Sequence, residues 1–250
     1  MMKKPIKLMA FVVLMLVFAM SCNKTDDPNQ GGEENGEPND EIIDTHEYVD
    51  LGLPSGTLWA TCNVGAKTPE DCGDYFAWGE TSPKEHYDWK SYIYGNFIDE
   101  RYRFEVSKYC TDSFFGVDGL VDSLTVLEPV DDAVLANWGA DWRMPTKEDW
   151  EELLQKTTNT WMIQNGVSGR LLTGWNGNSI FLPVTGFYLD EELICPNLGI
   201  YWSSSLYTGS PERAWSFHYS YDECHVCGTY ERSRGQCVRA VRSAESGNVF

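Results

Sequence analysis

Cysteine is the residue type whose spacing in this chain allows the widest range of chemistry, and eight cysteines are present. Cys224 and Cys227 are separated by two residues, and with Cys237 and His218 they are candidate ligands for zinc, which binds thiolates and imidazoles tetrahedrally. The same pair suits a redox couple, because this spacing lowers the pKa of one thiol. No second pair with this spacing completes a zinc finger, so we favour a chain without a bound metal ion or other cofactor.

The cysteines also allow structural disulfides. Cys22 stands apart near the amino terminus, and the other seven leave at least one thiol without an intrachain partner. Disulfides form and persist outside the cytoplasm. We therefore expect structural disulfides or inert buried thiols, with the closely spaced Cys62, Cys72, Cys224 and Cys227 as candidate partners.

The amino-terminal segment has the order of an export signal. Three lysines stand within its first seven residues, and an apolar run covers residues 8–20. This run of about 13 residues is shorter than the roughly 20 that a membrane-spanning helix needs. Its end, Ala19-Met20-Ser21-Cys22, resembles the bacterial lipoprotein motif. The resemblance implies that the signal peptide, residues 1–21, is removed and that Cys22 carries a lipid that contacts the membrane.

Residues 22–44 are expected to form a lipid-anchored linker. The segment is crowded with Asp, Glu, Asn, Gly and Pro and lacks aromatic residues, so it cannot bury enough apolar area to fold and is predicted to be disordered. The pair Asp26-Asp27 resembles the export tag of surface lipoproteins in the Bacteroidetes, which implies display on the outer membrane. A merely acidic linker is the alternative.

The charge of the chain disfavours one class of partner. The formal net charge is −19, and removal of residues 1–21, which hold lysines but no acidic residue, makes it more negative. Because nucleic acids are bound through Lys and Arg that release counterions, we expect no nucleic-acid partner.

Residues 45–243 have the length of a single domain, and residues 244–250 are expected to be a flexible tail. Aromatic residues make up 14% of the chain, and turn dipeptides recur at short spacing, which favours antiparallel strands. Pro54-Ser55-Gly56 and Asn165-Gly166 are predicted to close hairpins, and Asn176-Gly177 is predicted to repeat the type I′ turn. The predicted strands are 47–53, 57–64, 161–164, 167–173, 179–184, 199–206, 213–221 and 236–242.

Two helices are predicted among these strands. Asp131 or Asp132 is placed to cap residues 133–138, with Gly139 ending the helix in the left-handed conformation. The second helix begins after Thr146 and buries an apolar stripe at helical spacing. The members of this stripe are Trp150, Leu153, Leu154 and Thr157.

A series of motifs along the folded region resembles the Fibrobacter succinogenes major paralogous domain. That family looks like a distant relative of the formylglycine-generating enzymes within the C-type lectin-like fold. The resemblance implies an α+β domain of twisted antiparallel sheets with two helices, in which the first and last strands pair. The matching segments are Tyr48–Ala66, Gly73–Thr81, Leu127–Pro129, Asp131–Ala133, Asn137–Gly139, Trp142–Thr146, Asn176–Pro183, Tyr201–Ser204 and Val238–Arg242.

This sequence lacks the residues that two activities of related proteins require. The active-site stretch of the formylglycine-generating enzymes does not map onto any cysteine of this chain. The calcium loops of sugar-binding lectins are interrupted, because Val130 follows Glu128-Pro129 and Gly177 follows Trp175-Asn176. Carboxylates near residues 128–132 keep calcium open as an alternative. We expect Arg143 and Arg239 to form internal ion pairs rather than to act in catalysis.

Recognition is therefore the favoured function. Trp215, Phe217 and Tyr219 alternate along one predicted strand and are expected to face the core. Connections between strands carry residue types that are enriched at interfaces, and we predict that they bind a glycan or a protein as an adhesion module. An enzyme of the formylglycine-generating type and a structural subunit of a surface assembly are the alternatives. The candidate contacts are Trp175, Tyr207, Arg213, Tyr221, Tyr230, Arg232 and Arg234.

Overall fold

Antiparallel strands dominate the computed structural model, which describes residues 46–99 and 103–244. The signal peptide, Cys22, the linker and residues 245–250 lie outside this range. Within it, the helices are α1 (Ala133–Trp138) and α2 (Lys147–Lys156). The strands are β1 (Tyr48–Asp50), β2 (Thr57–Asn63), β3 (Tyr75–Phe76), β4 (Gly95–Asp99), β5 (Arg103–Val106), β6 (Thr157–Gln164), β7 (Val167–Gly174), β8 (Ser179–Pro183), β9 (Phe187–Leu189), β10 (Glu192–Ile194), β11 (Gly199–Leu206), β12 (Arg213–Tyr219), β13 (Cys224–Glu231), β14 (Gln236–Cys237) and β15 (Arg239–Ser243).

These strands form three larger sheets and two hairpins. One sheet has the order β1-β2-β15, so strands from both ends of the folded region pair, and a second has the order β6-β7-β8. The third has the order β13-β12-β11-β14-β3, in which β11 and β14 run parallel. Hairpins β4-β5 and β9-β10 stand beside them. The predicted α+β class with mostly antiparallel sheets and two helices is confirmed.

Of the two type I′ turns predicted from Asn-Gly pairs, the structure confirms the first and not the second. Asn165 and Gly166 have φ of 49° and 87°, as the type I′ hairpin between β6 and β7 requires. At the next turn only Gly177 has a positive φ, and the amide of Gly177 donates to the carbonyl of Gly174. The prediction of a second type I′ turn at Asn176-Gly177 was wrong, because the longer connection from Gly174 to Ser179 lets Asn176 keep an ordinary conformation.

Helix α1 is capped by Asp132, whose Oδ1 accepts from the amides of Val134 and Leu135 at 2.8 and 3.2 Å. Gly139 ends the helix with φ 94° and ψ 178°. The predicted left-handed conformation at Gly139 was therefore wrong, and the conformation found is one that essentially only glycine adopts. Asp131 does not cap the helix, because its carboxylate accepts from Tyr94, Tyr109 and Lys108 instead.

Helix α2 begins at the predicted cap. The hydroxyl of Thr146 accepts from the amide of Asp149, and the carboxylate of Asp149 accepts in return from the amide of Thr146, which completes a capping box. Trp150 and Leu153 are buried as predicted, but the prediction was wrong for Leu154 and Thr157, which are only half-buried, because α2 ends at Lys156 and Thr157 begins β6. Arg143 pairs with Asp149 at 2.6 Å, which confirms the ion pair expected for Arg143.

Three hydrophobic clusters form the core of the described part of the chain. In one of them, Trp150 stacks parallel to Phe217 with ring centroids 4.5 Å apart and lies 4.6 Å from the Trp59 ring. Phe217 and Tyr219 are fully buried as expected, whereas Trp215 is only partly covered. Ala214 and Ser216, which alternate with these aromatic residues along β12, are buried as well, so the alternation does not separate an exposed face from a buried one.

Arg239 is buried and forms no ion pair with any residue that the structure describes. Its guanidinium donates to Asn63 Oδ1 at 2.8 Å and to the carbonyls of Ala60, Thr61 and Phe181 at 3.0 to 3.1 Å. The internal ion pair predicted for Arg239 was wrong, because backbone carbonyls of β2 and β8 satisfy its donors. In the described part of the chain, no helix combines the length and apolar character needed to cross a membrane.

Candidate functional site

The seven residues predicted to contact a ligand do not share one surface. Trp175 and Tyr221 are exposed, with relative accessibilities of 80% and 69%. Four others are half-buried, and two of these, Arg213 and Tyr230, lie within β12 and β13 rather than in connections. The half-buried candidates are Tyr207, Arg213, Tyr230 and Arg234.

Arg232 is fully buried, with 0% relative accessibility, so its prediction as a surface contact was wrong. Its guanidinium donates to the Tyr92 hydroxyl at 2.9 Å and to the carbonyls of Lys108, Tyr109 and Pro211 at 3.0 to 3.1 Å. Aromatic rings cover it, with Trp78 closest at 5.0 Å. Arg232 therefore links loops inside the protein through hydrogen bonds and is not accessible to a ligand.

Three half-buried candidates are held by neighbouring groups. Arg213 donates to the carbonyl of Thr229 at 3.0 Å, Arg234 pairs with Glu231 at 2.6 Å, and the Tyr207 ring meets the Trp215 ring edge-on at 5.2 Å. These contacts belong to the packing of the strands. They do not assemble a binding surface with Trp175.

Trp175 lies in the connection from β7 to β8 and is fixed to the segment that follows β1. Its indole nitrogen donates to the carbonyl of Gly52, and the side-chain amides of Asn176 and Asn178 donate to the carbonyl of Asp50 at 2.9 and 2.8 Å. Gly52 has φ 69°, and a Cβ atom built there would lie 2.5 Å from Trp175 Nε1. The missing side chain at Gly52 thus lets the indole lie against the backbone. We call this exposed, anchored ring the Trp175 platform.

No known protein family, curated protein or solved structure matches this chain.

The cysteines predicted to pair are thiols in the structure, which describes Cys62, Cys72 and Cys224 as free. Cys62 lines a pocket with His46 and Trp138, whereas the Cys72 thiol is directed to the carbonyl of Val184 at 3.5 Å. Cys62 and Cys72 are therefore not bonded to each other, and Cys224 is a free thiol in this structure. The side chain of Cys227 lies outside the described part.

The redox interpretation of Cys224 is not favoured by its surroundings. Burial raises the pKa of the Cys224 thiol to about 11, although the charge of Arg170 opposes this shift. A thiol with a raised pKa has little of the nucleophilic thiolate at neutral pH. Cys224 is therefore not the thiol whose pKa the two-residue spacing was predicted to lower.

The candidate zinc ligands whose side chains the structure describes do not lie close together. Among residues 46–99 and 103–244, no group of three or more His, Cys, Asp or Glu side chains is arranged to hold a metal ion. Cys237 is fully buried against Tyr75, while His218 faces His225 across β12 and β13 with ring centroids 6.3 Å apart. His218, Cys224 and Cys237 therefore form no shared site in this structure.

A cavity of about 510 Å³ opens beside α1 and the end of β15. Arg143 and Arg242 line it, but Arg143 is paired with Asp149, and Arg242 lies between the rings of Tyr48 and Trp142 at 5.2 and 5.4 Å. Both guanidinium groups are thus engaged within the protein. The cavity offers no unopposed positive charge to an anionic ligand.

A second concave site was missed by sequence reasoning. Its walls include Tyr75, Tyr87 and Tyr188, and its rim carries Asp74 and Glu191, with Glu85 also in the lining. We call it the tyrosine cleft. The acidic residues around Tyr188 and the repeated tyrosines after residue 74 were visible signals, but only the folded chain brings them together.

Proposed function

We propose that this chain is a lipoprotein displayed at the outer membrane through the lipid on Cys22, and that its folded domain binds a glycan or protein ligand as an adhesion module. The Trp175 platform carries the proposal. The side chain of Trp175 is 80% exposed, so folding buries little of its apolar area. Its indole nitrogen and the adjoining turn are nevertheless fixed by hydrogen bonds to the segment that includes Asp50 and Gly52. Rigid aromatic side chains supply contact area at interfaces with little loss of conformational entropy.

We also propose that the domain has a C-type lectin-like fold. Support comes from the pairing of β2 with β15, which joins strands near both ends of the folded region, and from two helices that accompany twisted antiparallel sheets. The motifs of the Fibrobacter succinogenes major paralogous domain lie in these same elements. In a fold of this kind, a rigid scaffold presents binding residues on its connections, where Trp175 stands.

The first prediction concerns Trp175. Probing an array of glycans and proteins with the full chain should give specific ligands, and Trp175→Ala should weaken their binding by about 2 kcal/mol, roughly thirtyfold, because it removes an interface anchor. Thermal melts should show a change in unfolding free energy of about 1 kcal/mol or less, since one exposed hydrogen bond is lost. Titration of each array ligand measures the difference.

Two further variants sharpen this test. Gly52→Ala keeps the tryptophan but places a methyl group against the indole, so it should also weaken binding. Ile163→Ala removes another exposed apolar side chain, 66% accessible on β6, and should bind as the wild type does. Wild-type affinity in both Trp175→Ala and Gly52→Ala would exclude the platform as the binding surface.

The second prediction concerns the membrane anchor. Cys22→Ala should leave the protein unlipidated, because only the thiol of that residue can accept the diacylglycerol. Growth of cells with radiolabelled fatty acid should label the wild-type protein alone. Equal label in the two proteins would contradict the lipoprotein assignment.

A further inference from the structure

The tyrosine cleft is built where three separate segments meet. Backbone hydrogen bonds join Tyr87 to Asp190 at 3.0 and 3.2 Å, and others join Tyr188 to Gly235 at 2.8 and 3.0 Å. Strand β3 contributes Tyr75, which pairs with Cys237 of β14. The cleft is open to solvent and has a volume of about 430 Å³, within the range of small-ligand pockets. The cleft is therefore a formed feature of the fold and not a gap beside one mobile loop.

Its aromatic wall is held rigidly. The Tyr188 ring lies 4.8 Å from that of Tyr75 and 5.7 Å from that of Tyr87. The hydroxyl of Tyr75 donates to the carbonyl of Thr185 at 2.6 Å, and the hydroxyl of Tyr87 donates to the carbonyl of Tyr75 at 2.5 Å. Neither hydroxyl has to rearrange for a ligand. Tyr87 is buried, so the half-buried Tyr75 and Tyr188 supply most of the accessible aromatic surface of the wall.

The charges around this wall are predominantly negative. Lys84 is paired with Glu80 at 2.9 Å, so its charge is compensated inside the protein. His86 lies between Asp190 at 2.8 Å and Glu191 at 3.4 Å. Asp74 and Glu85, which also line the cleft, contact no cationic side chain among the residues that the structure describes. A positive group that enters would meet carboxylates left uncompensated.

A cation of the protein itself already lies in the lining of the cleft, namely Lys84. The ammonium of Lys84 lies 5.8 Å from the ring centroids of both Tyr87 and Tyr92, within the range of cation–π attraction. The rest of the lining adds the rings of Tyr75 and Tyr188 and three carboxylates, those of Asp74, Glu85 and Glu191, which outnumber the single ammonium of Lys84. The site is thus suited to a second organic cation, while an anion would be repelled.

We propose that the tyrosine cleft binds the ammonium or guanidinium group of a lysine or arginine side chain on a basic segment of a partner protein. One such side chain is within the capacity of the cleft, and the strongly acidic chain attracts basic partners through charge complementarity. The cleft and the Trp175 platform are different sites with different chemistry. An experiment can therefore disprove the proposal for one of the two sites and leave the proposal for the other unaffected.

The test uses the full chain and three acetylated, amidated tripeptides that carry lysine, arginine or neutral citrulline between two glycines. Calorimetric titration should show saturable binding of the two cationic peptides and at least about tenfold weaker binding of the citrulline peptide, which keeps the shape but loses the charge. The Asp74→Asn/Glu85→Gln double variant should weaken the cationic peptides by about tenfold. Tyr188→Ala should weaken them similarly by opening the aromatic wall.

A charge-matched control separates the cleft from the general acidity of the surface. Glu192→Gln/Asp222→Asn removes the same charge from exposed residues that do not line the cleft, and it should bind the peptides as the wild type does. Butylammonium supplies the cation without a peptide and should bind at least about fivefold more weakly, because it makes no backbone hydrogen bonds.

Three results would overturn the proposal. These are equal binding of citrulline and arginine peptides, equal loss of affinity in the two double variants, and butylammonium binding as tightly as the lysine peptide. The last result would assign the cleft to free amines. Trp175→Ala should leave the peptide affinities unchanged, which distinguishes a failure at the cleft from a failure at the platform.

Discussion

Trp150→Ala is expected to lower the free energy of unfolding by about 3 to 5 kcal/mol, a large part of the roughly 5 to 15 kcal/mol that stabilises a domain. The side chain is fully buried and stacks on Phe217 at 4.5 Å, with Trp59 at 4.6 Å on another side. Its removal loses this burial and leaves a cavity between α2 and two sheets. Denaturant unfolding followed by fluorescence and circular dichroism measures the change.

Tyr221→Ala provides the matched aromatic control. This ring is 69% accessible and contacts Trp161 edge-on at 5.7 Å, so its loss should change the unfolding free energy by only about 0.5 kcal/mol. A Trp150→Ala protein that unfolds at the wild-type denaturant concentration would show that the contacts of α2 do not hold the core. Equal destabilisation by both substitutions would contradict the assigned burial.

Arg232→Met should destabilise the protein by at least about 3 kcal/mol. Methionine approximates the aliphatic part of the side chain but leaves the Tyr92 hydroxyl and three backbone carbonyls without the donors that now satisfy them. Each buried acceptor without a partner costs about 1 to 3 kcal/mol. Thermal and denaturant melts should both show the loss.

The controls for Arg232 separate charge from geometry. Arg232→Lys keeps the positive charge but lacks the planar set of donors, so it should remain clearly less stable than the wild type. Arg213→Met removes a partly exposed arginine that donates to the carbonyl of Thr229, and it should cost about 1 kcal/mol or less. A stable Arg232→Met protein with altered ligand affinity would show instead that Arg232 contributes to ligand binding.

The stability of each variant also determines whether a change in its ligand affinity can be assigned to the substituted residue. Arg232 joins loops that include Tyr92, Tyr109 and Pro211, so its loss would disturb surfaces that it does not touch. An affinity decrease in an unfolded Arg232 variant would say nothing about ligand contact. Variants of Trp175 and of the tyrosine cleft therefore require the same melts alongside each titration.

Helix caps, one hairpin turn and the buried face of α2 could be predicted from residue type and spacing alone. Asp132 and Thr146 cap their helices, and Asn165-Gly166 closes its hairpin, because a short side chain or a tolerance of positive φ acts on backbone only a few residues away. The burial of Trp150 followed from helical periodicity for a similar reason. In each case the interaction partner lies close in sequence or on one face of a single element.

The partners of the buried arginines and the positions of the concave sites could not be predicted in this way, because they depend on how distant segments pack. Arg232 occupies a loop-like stretch of sequence, yet it is buried because carbonyls from residues 108, 109 and 211 converge on its donors. The tyrosine cleft joins residues more than a hundred positions apart, such as Tyr75 and Tyr188. Residue type and spacing reveal which groups need partners, but the packing of distant strands decides which partners they meet.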